Sequence, residues 1–100
     1  MFMVLLKFAT NKADAGRLVE GHKACLQRGF DDGVFLVTGS LRPQSAGDGG
    51  GGIVAHNTSR EALQQRLNED PFVAEGVVSP EIYDVDASRT DQRLDFLLKA

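Results

Sequence analysis

Two side chains in the sequence have types and positions suited to acid–base chemistry, His22 and Asp70. His22 lies between Leu18 and Cys25 on the apolar stripe of a predicted first helix, where a polar side chain needs a hydrogen-bond partner. An imidazole can accept and return a proton near neutral pH, and a carboxylate can hold it in the orientation that this requires. One interpretation of the two residues is therefore a His–Asp pair that moves a proton.

Each residue also has a plainer interpretation. A histidine within a helix stripe is often a hydrogen-bonded core residue with no chemistry. A carboxylate that follows a helix and precedes a proline, as Asp70 does, often bonds only to the nearby backbone. The positions of His22 and Asp70 along the chain do not show whether the two side chains touch, so both interpretations stay open at this level.

Three further residues are predicted to contact a small molecule. Ser40 ends a predicted strand, where its hydroxyl can donate a hydrogen bond to a ligand, although an ordinary turn serine fits equally well. Phe8 and Phe72 are predicted to form apolar walls of a pocket around His22.

No motif in the sequence indicates a metal or a cofactor. His56 has no second histidine at metal-ligand spacing, and Cys25 is the single cysteine and is predicted to be buried and unreactive. The run Gly49–Gly52 lacks the Gly-Lys-Ser/Thr ending of a phosphate-binding loop. We therefore expect neither a metal nor a cofactor.

The elements that position these residues are predicted in the order βαββαβ. Strands are predicted over residues 2–9, 34–40, 53–56 and 77–85, and helices over 13–28 and 58–68. Gly29 is expected to end the first helix, and Thr58 is expected to cap the second. Residues 41–52, which include Pro43 and the glycine run, are expected to form a mobile loop.

This order of elements predicts an α+β fold, a ferredoxin-like four-stranded antiparallel sheet with both helices on one face. Residues 1–87 form the predicted domain, and residues 88–100 form a C-terminal tail that contains a short helix. The strands at 2–8 and 34–37 are apolar on their second face as well. That pattern predicts a homodimer that pairs through this face, with the C-terminal tail folded over the face as the alternative. The apolar residues of the tail, Leu94, Leu97 and Leu98, would be able to join such dimers into a higher oligomer.

Composition disfavours several classes of partner. The 100 residues have a formal net charge of -3 and no large cluster of Lys and Arg, which argues against binding to nucleic acid or to anionic membranes. One cysteine excludes an internal disulfide and fits a cytoplasmic protein. No apolar run approaches the roughly 20 residues of a membrane span, and the N-terminus lacks the pattern of a signal peptide.

Several short motifs together resemble those of the YciI-like (YCII-related) family of the dimeric α/β-barrel superfamily. They are Arg17 followed by His22, the run Gly39–Leu41 after the second strand, and the run Asp70–Val73. The resemblance extends over about residues 3–85. It implies a ferredoxin-like protomer, a dimer formed by sheet packing, and a cleft that holds a His–Asp pair at His22 and Asp70.

The predicted function is that of a small-molecule enzyme, a cofactor-independent lyase or isomerase. His22 and Asp70 would transfer a proton, in an elimination or an isomerisation, on a small cyclic or aromatic substrate. The alternative is a non-enzymatic dimeric module that holds a small ligand in the same cleft. Ser40 stands where the family usually has a proline, and the run 81–85 departs from the family pattern, so the resemblance does not imply a particular substrate.

Overall fold

The computed structural model describes residues 1–42 and 49–99. A four-stranded antiparallel sheet, in the order β2-β3-β1-β4, carries the helices on one of its faces. The strands are β1 (Phe2–Phe8), β2 (Phe35–Leu41), β3 (Gly50–Ala55) and β4 (Val78–Asp84), and the helices are α1 (Ala15–Asp31), α2 (Arg60–Asn68) and α3 (Pro71–Ala74). Short 3-10 helices cover Lys12–Asp14 and Gln92–Lys99. The predicted ferredoxin-like α+β fold is confirmed.

Alternation along β1 separates the two faces of the sheet. Phe2, Val4 and Leu6 are buried beneath the helices, whereas Met3 is 43% exposed on the opposite face. Leu63 and Leu67 of α2 pack into the same core as the buried residues of β1. The helix-covered face therefore holds the hydrophobic core, and the second face is the open face of the sheet.

The first helix is longer than predicted, and Gly29 does not end it. Gly29 is buried, and a Cβ atom there would overlap the Phe35 ring, so this glycine allows β2 to pack against α1. The chain leaves the helix at Gly33, whose φ of +73° is the left-handed conformation that glycine adopts most easily after a helix. The glycine that follows the end of α1 is thus Gly33, and the prediction that Gly29 ends the helix is wrong.

Two further boundaries correct the sequence prediction. The side chain of Ser59, and not that of Thr58, caps α2 by accepting a hydrogen bond from the Ala62 N–H at 3.1 Å. Gly50–Gly52 belong to β3 and are paired on both sides, so this part of the glycine run is strand and not loop. The middle of the predicted loop, residues 43–48, lies outside the described residues.

The C-terminal tail contacts one end of the sheet and leaves most of the open face uncovered. Leu97 is buried, and the Phe96 ring packs edge-on against His56 with 5.4 Å between ring centroids. Leu94 and Leu98 are exposed. Because Met3, Val37 and Tyr83 remain 43%, 59% and 50% exposed, the described part of the tail does not cover the open face. The domain boundary at residue 87 stays a prediction.

In the described parts of the chain, no helix combines the length and the apolar character that crossing a membrane requires.

Replacing Gly29 with alanine is expected to destabilise the fold by about 1–3 kcal/mol, because the added methyl group overlaps the buried Phe35 ring. Urea unfolding measures the change. Gly16→Ala is the matched control, since a Cβ there meets nothing within 4 Å and the same helix carries both positions. Equal unfolding midpoints for the two variants would show that Gly29 is not a packing requirement.

Candidate active site

Helices α1 and α3 meet at a glycine and a proline. A Cβ atom at Gly21 would lie 2.9 Å from Cγ of Pro71, so the missing side chain lets the start of α3 close onto α1. His22 is the next residue on α1, and Asp70 immediately precedes α3. The close approach of the two helices therefore brings together two side chains that are far apart in the sequence.

Asp70 is held by its position at the start of α3. Its Oδ1 atom accepts a hydrogen bond from the Phe72 N–H at 2.8 Å, which is the N-cap interaction that a short helix needs. Its Oδ2 atom lies 2.7 Å from Nδ1 of His22. The side chain of Asp70 is only 2% exposed, so its two oxygens are committed to the helix and to the imidazole.

The partner of Nδ1 determines which nitrogen of His22 is available. A carboxylate only accepts hydrogen bonds, so Nδ1 donates, and the neutral ring then carries an unprotonated Nε2. The described residues, 1–42 and 49–99, offer Nε2 no hydrogen-bond partner, and the His22 side chain is 16% exposed. Nε2 is therefore free to accept a proton from a bound molecule.

Phe72 fixes the plane of the imidazole. Its ring stacks on that of His22 with 4.0 Å between centroids and 5° between planes. Asp70 contacts the edge of the imidazole and Phe72 its face, so one short helix restrains both the rotation and the tilt of the ring. Such restraint preorganises a group for proton transfer.

A cavity of about 360 Å³ lies between the helices and the sheet beside His22. Its apolar walls come from both layers, and its polar groups are few. The lining residues are Leu6, Phe8, Val19, His22, Lys23, Leu26, Thr38, Gly39, Ser40, Gly50, Gly51, Gly52, Ile53, Phe72 and Val78. This volume and lining are typical of a small-molecule pocket.

One charged side chain, Lys23, is among the described residues that line the cavity, and it pairs with the exposed Glu20. The Lys23 ammonium lies 4.0 Å from Glu20, and the Lys23 side chain is 67% exposed. None of the lining residues that the structure describes carries a carboxylate, and Asp70 lies behind His22. The cavity therefore favours a neutral or anionic molecule over a cationic one.

Cys25 lies one turn from His22 on α1 and does not supply a nucleophile. Burial, and then the nearby Asp70 carboxylate, raise the pKa of its thiol above the usual value. Its Sγ atom is 3.9 Å from the Arg66 carbonyl oxygen. A thiol with a raised pKa stays protonated at neutral pH and reacts slowly.

The residues singled out in the sequence lie together. His22, Phe8, Phe72 and Ser40 line the same cavity, and Asp70 bonds to His22 from behind. The roles of these residues in binding or catalysis stay predictions.

Sequence reasoning missed Lys23, Thr38 and the glycine backbone of β3 as parts of the cavity. Lys23 follows His22 directly, but helical spacing assigns it to the polar face of α1, and it reaches the cavity only at the rim. A run of glycines inside a central strand often marks the close approach of a ligand, but the local sequence predicts a loop at these positions.

Comparison with solved structures supports the fold. The chain is similar to 5-chloro-2-hydroxyhydroquinone dehydrochlorinase (TftG) from Burkholderia phenoliruptrix AC1100, solved in complex with 2,5-dihydroxybenzoquinone, with a TM-score of 0.66 and 14% identity over 85% of this chain and 93% of that one. It is also similar to the de novo designed protein Ferredog-Diesel, with a TM-score of 0.52 and 13% identity over 83% of each chain.

At these identities the likeness shows the fold alone. Membership of the dimeric α/β-barrel superfamily therefore stays a prediction. No family model matches the chain, and none of the curated proteins matches it significantly. Membership of the YciI-like family therefore stays a prediction.

Replacing Asp70 with asparagine is expected to move the proton of His22 from Nδ1 to Nε2. The amide oxygen can still accept from the Phe72 N–H, but the amide NH₂ then donates to Nδ1. The ¹⁵N shifts of the imidazole nitrogens report the tautomer, and a His56→Gln background leaves His22 as the single histidine signal. A protonated Nδ1 in the Asp70→Asn protein would contradict the assignment.

Proposed function

We propose that the protein is a small-molecule enzyme in which His22 acts as general base and then general acid on a small cyclic or aromatic substrate. The observation that carries the proposal is the 2.7 Å contact between Nδ1 of His22 and the buried carboxylate of Asp70, beside an apolar cavity. The arrangement orients the imidazole, leaves Nε2 available and stabilises the imidazolium that forms when Nε2 takes a proton.

The ring that this cavity suits is flat and apolar. Phe8 and Phe72 supply aromatic walls, and the hydroxyls of Thr38 and Ser40 offer a small number of hydrogen bonds. Because no described lining residue carries a carboxylate, the cavity accepts a neutral or phenolate ring more readily than a cationic one. The likeness to a dehydrochlorinase solved with 2,5-dihydroxybenzoquinone is in keeping with such a ligand.

Proton transfer by His22 supports two related reactions. In an elimination, Nε2 takes a proton from a substrate carbon, the C–H electron pair forms a C=C bond, and the leaving group departs with its own bonding pair. In an isomerisation, the imidazolium returns the proton to a different carbon. In both, Asp70 stays a carboxylate and holds the ring in place.

Replacing His22 with glutamine is expected to lower turnover by about 100-fold or more, because general acid–base catalysis contributes about 10²–10⁴ in rate. The assay follows ultraviolet absorbance and released halide with a panel of hydroxylated and chlorinated aromatic compounds, 5-chloro-2-hydroxyhydroquinone included. His56→Gln is the matched control, since His56 contacts Phe96 and does not line the cavity. Asp70→Asn should retain binding and lose turnover.

Two results of this assay would oppose the acid–base role. Full turnover by His22→Gln would show that another group moves the proton. Binding of panel compounds without turnover in any protein, together with unchanged binding by His22→Gln, would favour the non-enzymatic ligand-binding module.

We also propose that two copies of the chain pair through the open face of the sheet. Met3 and Val37 lie on that face with about half of their surfaces exposed, at 43% and 59%. Val54 of β3 pairs with Met3 on β1 and with Val37 on β2, so the three side chains form a continuous apolar patch. The same apolar face of a second copy is a complementary partner. Pairing would bury apolar surface that a chain of this size leaves exposed as a monomer.

Replacing Val37 with arginine is expected to convert the dimer to a monomer, because each copy would then bury an unpaired arginine charge in an apolar interface. Light scattering at micromolar concentration measures the mass. Gln64→Arg, on the exposed side of α2, is the control and should leave the dimer intact. A wild-type protein that is monomeric at this concentration would refute the pairing.

A further inference from the structure

Strand β3 begins with three consecutive glycines in the interior of the sheet, where glycine is unfavourable for both entropy and packing. The backbone conformation requires glycine at position 50. Its φ is +119°, and a Cβ atom there would overlap the carbonyl oxygen of Leu6. That reason does not extend to the next residue along the strand.

Backbone geometry does not explain the glycine at position 51. Its φ is not positive, and a Cβ atom there would lie 3.4 Å from the Gly39 carbonyl oxygen and 3.6 Å from Cδ1 of Leu6. These distances are ordinary van der Waals contacts, so the fold has room for a side chain at this position. A different constraint must account for its absence.

The constraint is visible in the direction that a side chain at position 51 would take. Gly51, Ile53 and Ala55 alternate along β3, and the latter two are buried beneath the helices. Gly51 therefore faces the helices as well, at the point where the sheet forms the floor of the cavity beside His22. A side chain at this position would project into the space that a ligand would occupy.

We propose that Gly51 determines the size of the ring that the cavity admits. The sheet side of the cavity includes the bare backbone of Gly51, and the helix side includes His22 and Phe72. Each carbon added at position 51 shortens the distance between these two walls. Gly51 is thus a specificity-determining position and has no catalytic role. This inference rests on the proposed function in one respect, that the cavity binds cyclic molecules.

Phenol and 2-naphthol test the proposal, because they share one hydroxyl and differ in ring size. Their binding is followed by NMR shifts of the wild-type protein and of the variants Gly51→Ala, Gly51→Val and Gly16→Ala. We expect Gly51→Ala to weaken 2-naphthol by about tenfold and phenol by less than about threefold, and Gly51→Val to weaken both by about tenfold or more. Gly16→Ala, which adds a methyl group in open space on α1, should bind both as the wild type does.

Three outcomes would overturn the inference. Unchanged binding of 2-naphthol by both Gly51 variants would show that the position does not limit ring size. Failure of Gly51→Ala to fold, judged by circular dichroism and thermal unfolding, would show that the fold itself requires this glycine. If the wild type binds neither probe, the inference and the ligand class proposed above fail together. If ring size governs binding but His22→Gln keeps full turnover, only the acid–base role fails.

Discussion

The hydrogen bond between Nδ1 of His22 and Oδ2 of Asp70 is the interaction on which the site depends, since it fixes the imidazole and joins two elements of the fold. Asp70 reaches the imidazole only because α3 starts where it does, and α3 starts there because Asp70 caps it. The same carboxylate therefore has a structural and a chemical role at once. Breaking the hydrogen bond would leave the buried Asp70 carboxylate with only the Phe72 N–H as a partner, and an unsatisfied buried group of this kind costs about 1–3 kcal/mol or more.

Much of the fold can be predicted from the periodic spacing of apolar residues along the sequence. The alternation of Phe2, Val4 and Leu6 and the stripe of α1 identify the strands, the helix and their buried sides. The order of elements then leaves few topologies, and the ferredoxin-like arrangement is among them. The His–Asp pair was also accessible as a hypothesis, because a histidine on an apolar stripe requires a partner.

What the sequence could not indicate depends on contacts between distant segments. Gly29 and Gly33 are equivalent as local signals for the end of a helix, and only the Phe35 ring packed on Gly29 distinguishes them. Helix α3 has four residues, which is too short to show a period, and its position is set by contact between Pro71 and Gly21. The local propensity of the glycines in β3 predicts a loop. Pairing with a strand on each side makes them part of the sheet instead.

Both contacts that restrain the His22 imidazole depend on the short helix α3. The edge contact from Asp70 and the face contact from Phe72 both come from this one turn of helix, so neither can be lost alone when the turn opens. Short helices that pack at the surface open locally far more often than the whole domain unfolds. Local opening of α3 would therefore remove both restraints on the imidazole in one step. A ligand that fills the cavity against Phe72 would bind only those molecules in which α3 is formed. Binding would therefore increase the fraction of molecules with α3 formed.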